Sequence, residues 1–147
     1  MTESELQVMV ADYLRLQYPE VLFHSDFGSG IKLTMAQAVK QKKQNGGRRA
    51  WPDMFIAEPV EVPGAPEGVM GVPECMKYRF GLFIELKKAN TRLKKRNGEW
   101  ASEHIAEQAE ILERLRFRGY VAEFAVGFDE AKQIIDDYLK GGKKTID

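Results

Sequence analysis

The chain has 147 residues, 44% of them hydrophobic and 30% charged. That suits one domain (1–147) able to bury its own core without disulfides or a structural metal. No apolar run approaches the roughly 20 residues that span a bilayer, and the acidic N-terminus lacks a signal-peptide pattern. The single cysteine, Cys75, excludes an internal disulfide and a cysteine zinc cluster. Together these features predict a cytoplasmic protein. The formal net charge of +0 conceals a segregation. Residues 28–52 contain no acid and six bases, Lys32, Lys40, Lys42, Lys43, Arg48 and Arg49. Residues 86–98 repeat the pattern with Lys87, Lys88, Arg92, Lys94, Lys95 and Arg96. Acid-free basic blocks suit a polyanion, because each phosphate contact releases counterions; the alternative is a pair of solvated loops.

In chain order, Leu6, Met9, Val10, Tyr13, Leu14 and Gln17 recur at three- and four-residue spacing and predict an amphipathic helix over 4–17. Residues 21–24 read as a short strand, with the apolar setting making His24 a structural residue, and Gly28-Ser29-Gly30 as a turn. Lys32 falls on the strand expected after that turn. Thr34 caps a helix over 35–44 that ends at Asn45-Gly46-Gly47. Residues 53–57 are strand-like. Residues 59–76, rich in proline and glycine, form a loop excursion. Residues 78–86 carry the strongest strand signal, and 87–98 form a basic connection that orders on binding. A second helix is predicted over 102–118, with Ile105, Ala109, Leu112 and Leu115 inward and Gly119 as its stop. A strand over 120–126 follows, then a helix to 139 capped by Asp129, then a frayed tail at 140–147. This alternation is that of a mixed α/β domain.

The residues that carry chemistry are Asp53, at the start of one predicted strand, and Glu85-Leu86-Lys87, at the end of another. Side chains two apart in a strand share a face, so Glu85 and Lys87 project together. Were the two strands neighbours, Asp53 would approach Glu85, and adjacent carboxylates repel unless a cation lies between them. Oxygen donors without histidine or thiolate suit Mg²⁺ or Mn²⁺. Such an ion activates water and neutralises charge building on a phosphate, and Lys87 would supply a fixed positive charge there. The pattern implies metal-assisted phosphodiester hydrolysis, with the basic blocks gripping the backbone. A Glu-x-Lys alone, or an Asp after proline alone, is common. Trp51 is expected beside the site and Trp100 over a helix start. His104 is expected at the surface, although it lies four residues before Gln108 and shares its face.

Trp51-Pro52-Asp53 with Ile84-Glu85-Leu86-Lys87 resembles the PD-(D/E)XK nuclease signature. The longer runs, residues 47–53 and 83–88, together with Gln108 on the following helix and the closing segment 119–139, are similar to the VRR-NUC (virus-type replication-repair nuclease) branch, in its small phage-type members. The resemblance implies an α/β restriction-endonuclease-like core, a central mixed β-sheet flanked by α-helices, with the site at one sheet edge. It implies that Asp53, Glu85 and the backbone carbonyl of Leu86 hold the metal and that Lys87 is the catalytic lysine. Gln108 would touch Lys87, a metal-bound water or the substrate phosphate. A first-helix side chain should also reach the site, with Glu3, Glu5 and Gln7 as candidates, and Lys32 matches a basic position of the relatives. The expected DNA contacts are Lys32, Lys40, Lys42, Lys43, Arg48, Arg49, Lys88, Arg92, Lys94, Lys95 and Arg96. The implied activity is a Mg²⁺/Mn²⁺-dependent deoxyribonuclease without organic cofactor or membrane partner, acting in the host cytoplasm if phage-encoded. The leading substrate is a four-way (Holliday) junction cut by a homodimer, whose two-fold axis provides two symmetric sites. The alternatives are a flap or nicking endonuclease, an exonuclease on branched or single-stranded DNA, and, from other classes, a non-catalytic DNA-binding protein or a purely structural dimer.

Overall fold

A computed structural model describes residues 1–26, 32–48, 50–62 and 77–141. The predicted glycine turn at 28–30, Arg49, most of the excursion (63–76, with Cys75) and the tail beyond 141 lie outside the described residues. The elements in order are α1 (Glu3–Gln17), β1 (Phe23–Ser25), α2 (Met35–Gln44), β2 (Met54–Ile56), β3 (Val60–Glu61), β4 (Tyr78–Arg79), β5 (Leu82–Lys87), α3 (Glu103–Phe117), β6 (Val121–Val126) and α4 (Phe128–Lys140). Among the described residues, no helix is long and apolar enough to cross a membrane.

The main sheet has the order β1-β2-β5-β6. β1/β2 and β2/β5 are antiparallel, whereas β5/β6 are parallel. A parallel neighbour needs a crossover connection, and α3 lies within it. The sheet is mixed and flanked by helices, as expected. β3 and β4 form a separate two-stranded sheet. The single strand read over 78–86 is therefore two strands, broken at Phe80-Gly81. The break marks a change of partner, from β3 to β2 and β6. A Cβ on Gly81 would stand 3.0 Å from the Ile56 carbonyl and 2.5 Å from the Phe55 ring, so the crossing needs glycine.

Alternation along β5 divides the interior. Leu82, Ile84 and Leu86 join Met54, Ile56, Leu6, Val10, Leu14, Ala131, Ile135 and Tyr138 on the face covered by α1 and α4. Phe83 packs on the other face with Leu112 and Leu115 of α3 and Ala122 of β6. A fully buried leucine or valine contributes about 1.5–3 kcal/mol, so Leu6, Val10 and Leu14 anchor α1 firmly. Met9 and Gln17, expected on that face, are exposed, and Gln7 is buried in their place. By contrast α2 buries none of its residues. It is held locally, by a capping box in which Thr34 Oγ1 accepts from Gln37 N–H and Gln37 Oε1 accepts from Thr34 N–H.

Two expectations about helix ends and strand faces need correction. The N-cap of α4 is Gly127, at φ 83°, and no side chain caps it; Asp129 lies inside the first turn, where its charge complements the helix dipole. His24 is exposed on β1, because its flanking residues Phe23 and Ser25 take the covered face.

A second anchor joins α1 to α4. Tyr13 and Tyr18 both donate to Asp136 Oδ1, each at 2.6 Å. Burial disfavours the Asp136 carboxylate, but the two hydroxyls, Lys132 and Lys140 overcome it and hold the group below the ordinary carboxylate range. Burial and then the facing Asp136 push Tyr13 up to about 12. A depressed folded-state pKa stabilises the protein above the unfolded value, and that stability is lost as pH falls through the folded value. Asp136→Asn is expected to lower stability at pH 7 by about 1.5–3 kcal/mol, the range for hydrogen bonds to a charged group. The deficit should shrink below about pH 4, near the unfolded aspartate pKa, measured by urea denaturation across pH.

Candidate active site

The antiparallel register Met54↔Ile84 and Phe55↔Phe83, carried one residue further, sets Asp53 opposite Glu85. Asp53 precedes β2, and its Oδ2 accepts the Leu86 backbone N–H at 2.7 Å. Two carboxylates 32 positions apart in sequence are thereby opposed across two neighbouring strands. Both are buried, at 7% exposure for Asp53 and 3% for Glu85.

Lys87 lies two residues along β5 on the same face, and its Nζ is 3.8 Å from Glu85 Oε1. Gln108 comes from the inward face of α3, in line with Ile105, Leu112 and Leu115. Its Nε2 donates to the same Glu85 Oε1 at 2.7 Å. Gln108 thus binds Glu85, where the sequence pointed to Lys87, a water or a phosphate. Glu85 Oε2 and Gln108 Oε1 are buried without a hydrogen-bond partner. Burial, then repulsion from Asp53, pushes the Glu85 carboxyl far above the usual carboxylate range; Lys87 opposes this, and Glu3 adds a smaller repulsion.

The donor chemistry fits a hard divalent cation. Orphaned buried acceptors are costly, and Glu85 Oε2 is one of them. Leu86 presents its N–H to Asp53, and in a strand the N–H and C=O of one residue point to the same side, so the Leu86 carbonyl faces Asp53 as well. Among the described residues no three His, Cys, Asp or Glu side chains are grouped as a metal cluster. Two carboxylates and a carbonyl would offer a sparse all-oxygen set of the kind Mg²⁺ accepts with water as its remaining ligands.

The three first-helix candidates separate clearly. Glu5 Oε2 is occupied by the Thr2 backbone N–H in the capping box of α1. Glu3 is half-buried and acts on Glu85 through its charge. Gln7 is buried and donates to the Asp26 carbonyl at 2.9 Å, while Asp26 N–H donates to the Asp53 carbonyl at 2.7 Å. Gln7 therefore braces the backbone that carries Asp53. The signal was present in the sequence, as an amide on an apolar stripe with Val10 and Leu14.

The site lies at the ends of two interior strands, since β2 and β5 are the central pair of the sheet. The expectation of a site at a sheet edge is corrected on that point. The bases surround it unevenly. Lys32, Lys40, Lys42, Lys43, Arg48, Lys88, Arg92, Lys94, Lys95 and Arg96 are exposed, and Lys32 lies in irregular chain and not on a strand. The second basic block forms a hydrogen-bonded hairpin. Lys95 N–H donates to Glu99 O, Gly98 N–H to Lys95 O and Ala101 N–H to Leu93 O, and Lys94 pairs with Trp100. The expectation that this segment orders on binding is therefore replaced by a preformed hairpin. Its Lys94 sits 4.7 Å over the Trp100 ring, and that ring packs against Phe124 of β6. His104 is exposed, as expected, on the first turn of α3.

No family model matches the sequence, and no curated protein does. A solved structure described as a VRR_NUC domain protein matches with a TM-score of 0.58 over 97% of this chain and 91% of its own, at 23% identity. The chain therefore has the fold of a VRR_NUC domain protein.

Proposed function

We propose that this protein is a metal-dependent structure-specific DNA endonuclease of the PD-(D/E)XK type. The observation that carries the reading is the opposition of Asp53 and Glu85 across β2 and β5, with Lys87 beside them and a Glu85 oxygen left unsatisfied. The fold shared with a VRR_NUC domain protein supports it. Asp53, Glu85 and the Leu86 carbonyl would hold Mg²⁺ or Mn²⁺, which supplies an activated water and neutralises charge on the phosphate. Lys87 stabilises the negative charge that grows on the phosphate. Gln108 and Lys87 together fix Glu85 Oε1, which leaves Oε2 free to face the ion. The exposed bases of α2 and of the hairpin grip the backbone on either side. A four-way junction cut by a homodimer is the leading substrate, since a two-fold pair of such sites makes two symmetric incisions; flaps and nicked or single-stranded DNA are the other substrates of the same chemistry.

With Mn²⁺, a panel of four-way junction, flap, splayed duplex, linear duplex and single strand is expected to show paired symmetric cuts in the junction. Lys87→Ala should lower turnover by about 10²–10³-fold, the scale of losing one transition-state charge stabiliser, while junction affinity persists. Asp53→Ala should abolish cutting, and comparable turnover by that variant would overturn the reading.

Cation binding should be visible without catalysis. Mg²⁺ or Mn²⁺ at about 100 times its dissociation constant should stabilise the protein by about 2.7 kcal/mol, seen as a rise in melting temperature. Glu85→Gln should raise the melting temperature in chelator, because it removes one of two repelling buried acids, and should erase the response to metal. Charge reversal of both Lys94 and Lys95 to Glu should weaken DNA binding and reduce the steepness of its salt dependence by about two phosphate contacts, read from affinity against salt concentration.

A further inference from the structure

The groove between α2 and Trp51 is not used by the chemistry above. It encloses about 400 Å³ and is lined by Ala38, Val39, Lys42, Arg48, Trp51 and Asp26, among others. Such a volume falls in the range of small-molecule sites, roughly 300–1,000 Å³. Its walls combine an apolar floor, two cations and one carboxylate. Trp51 is 44% exposed, unusually open for a tryptophan. The ring is nonetheless held in place. It meets Phe83 at 5.5 Å and 81°, and Phe83 stacks on Phe55 at 4.4 Å and packs on Tyr120 at 5.2 Å. Across the groove, α2 has no buried residue, and Val39 is half exposed. The helix thus presents an uncovered face to the groove, and of its lysines Lys42 lines it.

We propose that this groove binds one unpaired nucleotide of the substrate strand, with its base stacked on Trp51 and its phosphate held by Lys42 and Arg48. The inference rests on the nuclease reading and deepens it, by naming what lets the site prefer branched or frayed DNA. A base inside a duplex has both faces covered by its neighbours, so an open indole selects a base that has left the stack. Charge complementarity favours a phosphate over any neutral occupant. Position favours the scissile strand, because Trp51 is two residues from Asp53 and so at most about 7 Å from it along the chain. Pro52 between them is buried and limits the backbone. α2, which lacks packing of its own, gains a partner when the nucleotide enters.

The test uses the full chain carrying Trp100→Phe, which leaves Trp51 as the sole tryptophan. Two end-labelled probes of about eight nucleotides are compared, an oligothymidylate and the same backbone with abasic sugars. Binding is followed by anisotropy and contact by Trp51 fluorescence. The expected result is quenching by oligothymidylate and none by the abasic strand. Trp51→Ala should weaken oligothymidylate binding about 5- to 150-fold, the range for one stacked base, with affinity for fully paired duplex unchanged and with Trp51→Phe restoring most of the loss. Equal quenching by both probes overturns the proposal. So does a Trp51→Ala variant that keeps its affinity and loses turnover equally on all substrates, which is the signature of a residue that only positions Asp53. DNA cutting by the wild type without Trp51 quenching removes this inference alone, whereas absence of both binding and cutting removes the nuclease reading with it.

Discussion

The structure turns on a pair of acids placed where folding alone would not put them. Asp53 and Glu85 face each other across β2 and β5, nearly excluded from water, and Asp53 disfavours the charged form of Glu85. Burying two like charges costs several kcal/mol unless they are compensated. The compensation within the chain is partial. The Leu86 N–H satisfies one Asp53 oxygen, and Gln108 and Lys87 both address Glu85 Oε1. Glu85 Oε2 receives nothing. Stability is sacrificed at this pair, which is what the proposed divalent cation would offset.

The remainder of the fold keeps that arrangement in register. Packing of Leu82, Ile84 and Leu86 against α1 and α4 fixes which face of β5 is apolar. A slip of one residue would carry Glu85 and Lys87 into the leucine core. Covering the opposite face with α3 brings Gln108 to Glu85 from a helix 23 positions later in the chain. On the N-terminal side, Gln7 reaches through the Asp26 backbone to the segment that bears Asp53. These three braces come from α1, β5 and α3, so the geometry of the site is a property of the whole sheet.

The periphery is built on a different principle. The helix α2 and the hairpin after β5 bury little and carry exposed bases. One is held by its capping box and the other by backbone hydrogen bonds and the Lys94–Trp100 contact. Both are ordered locally and remain free to meet a large polyanion, and the apolar core pays nothing for them. A rigid centre with lightly anchored basic arms is the arrangement that the proposed backbone contacts would use.

Much of this was legible in residue order. The apolar spacing of α1 and α3, the Thr34 cap, the glycine stop at 119 and the alternation of β5 follow from local rules. So does the shared face of Glu85 and Lys87. Other features escaped because they depend on partners remote in sequence. The break at Phe80-Gly81 exists because one extended run exchanges β3 for β2 and β6 as its neighbours. Gln7 is buried and Met9 exposed because the inward face of α1 is set by Leu6, Val10 and Leu14 packing on remote strands, which also brings Gln7 to the Asp26 carbonyl. The sequence by itself determined which residue types exist for the chemistry and which of them share a strand face, since periodicity is set by backbone geometry. Only the tertiary structure decided that Asp53 opposes Glu85, that Gln108 binds a carboxylate and that Trp51 stays open, because strand order and helix rotation are fixed by packing between segments that no local pattern relates.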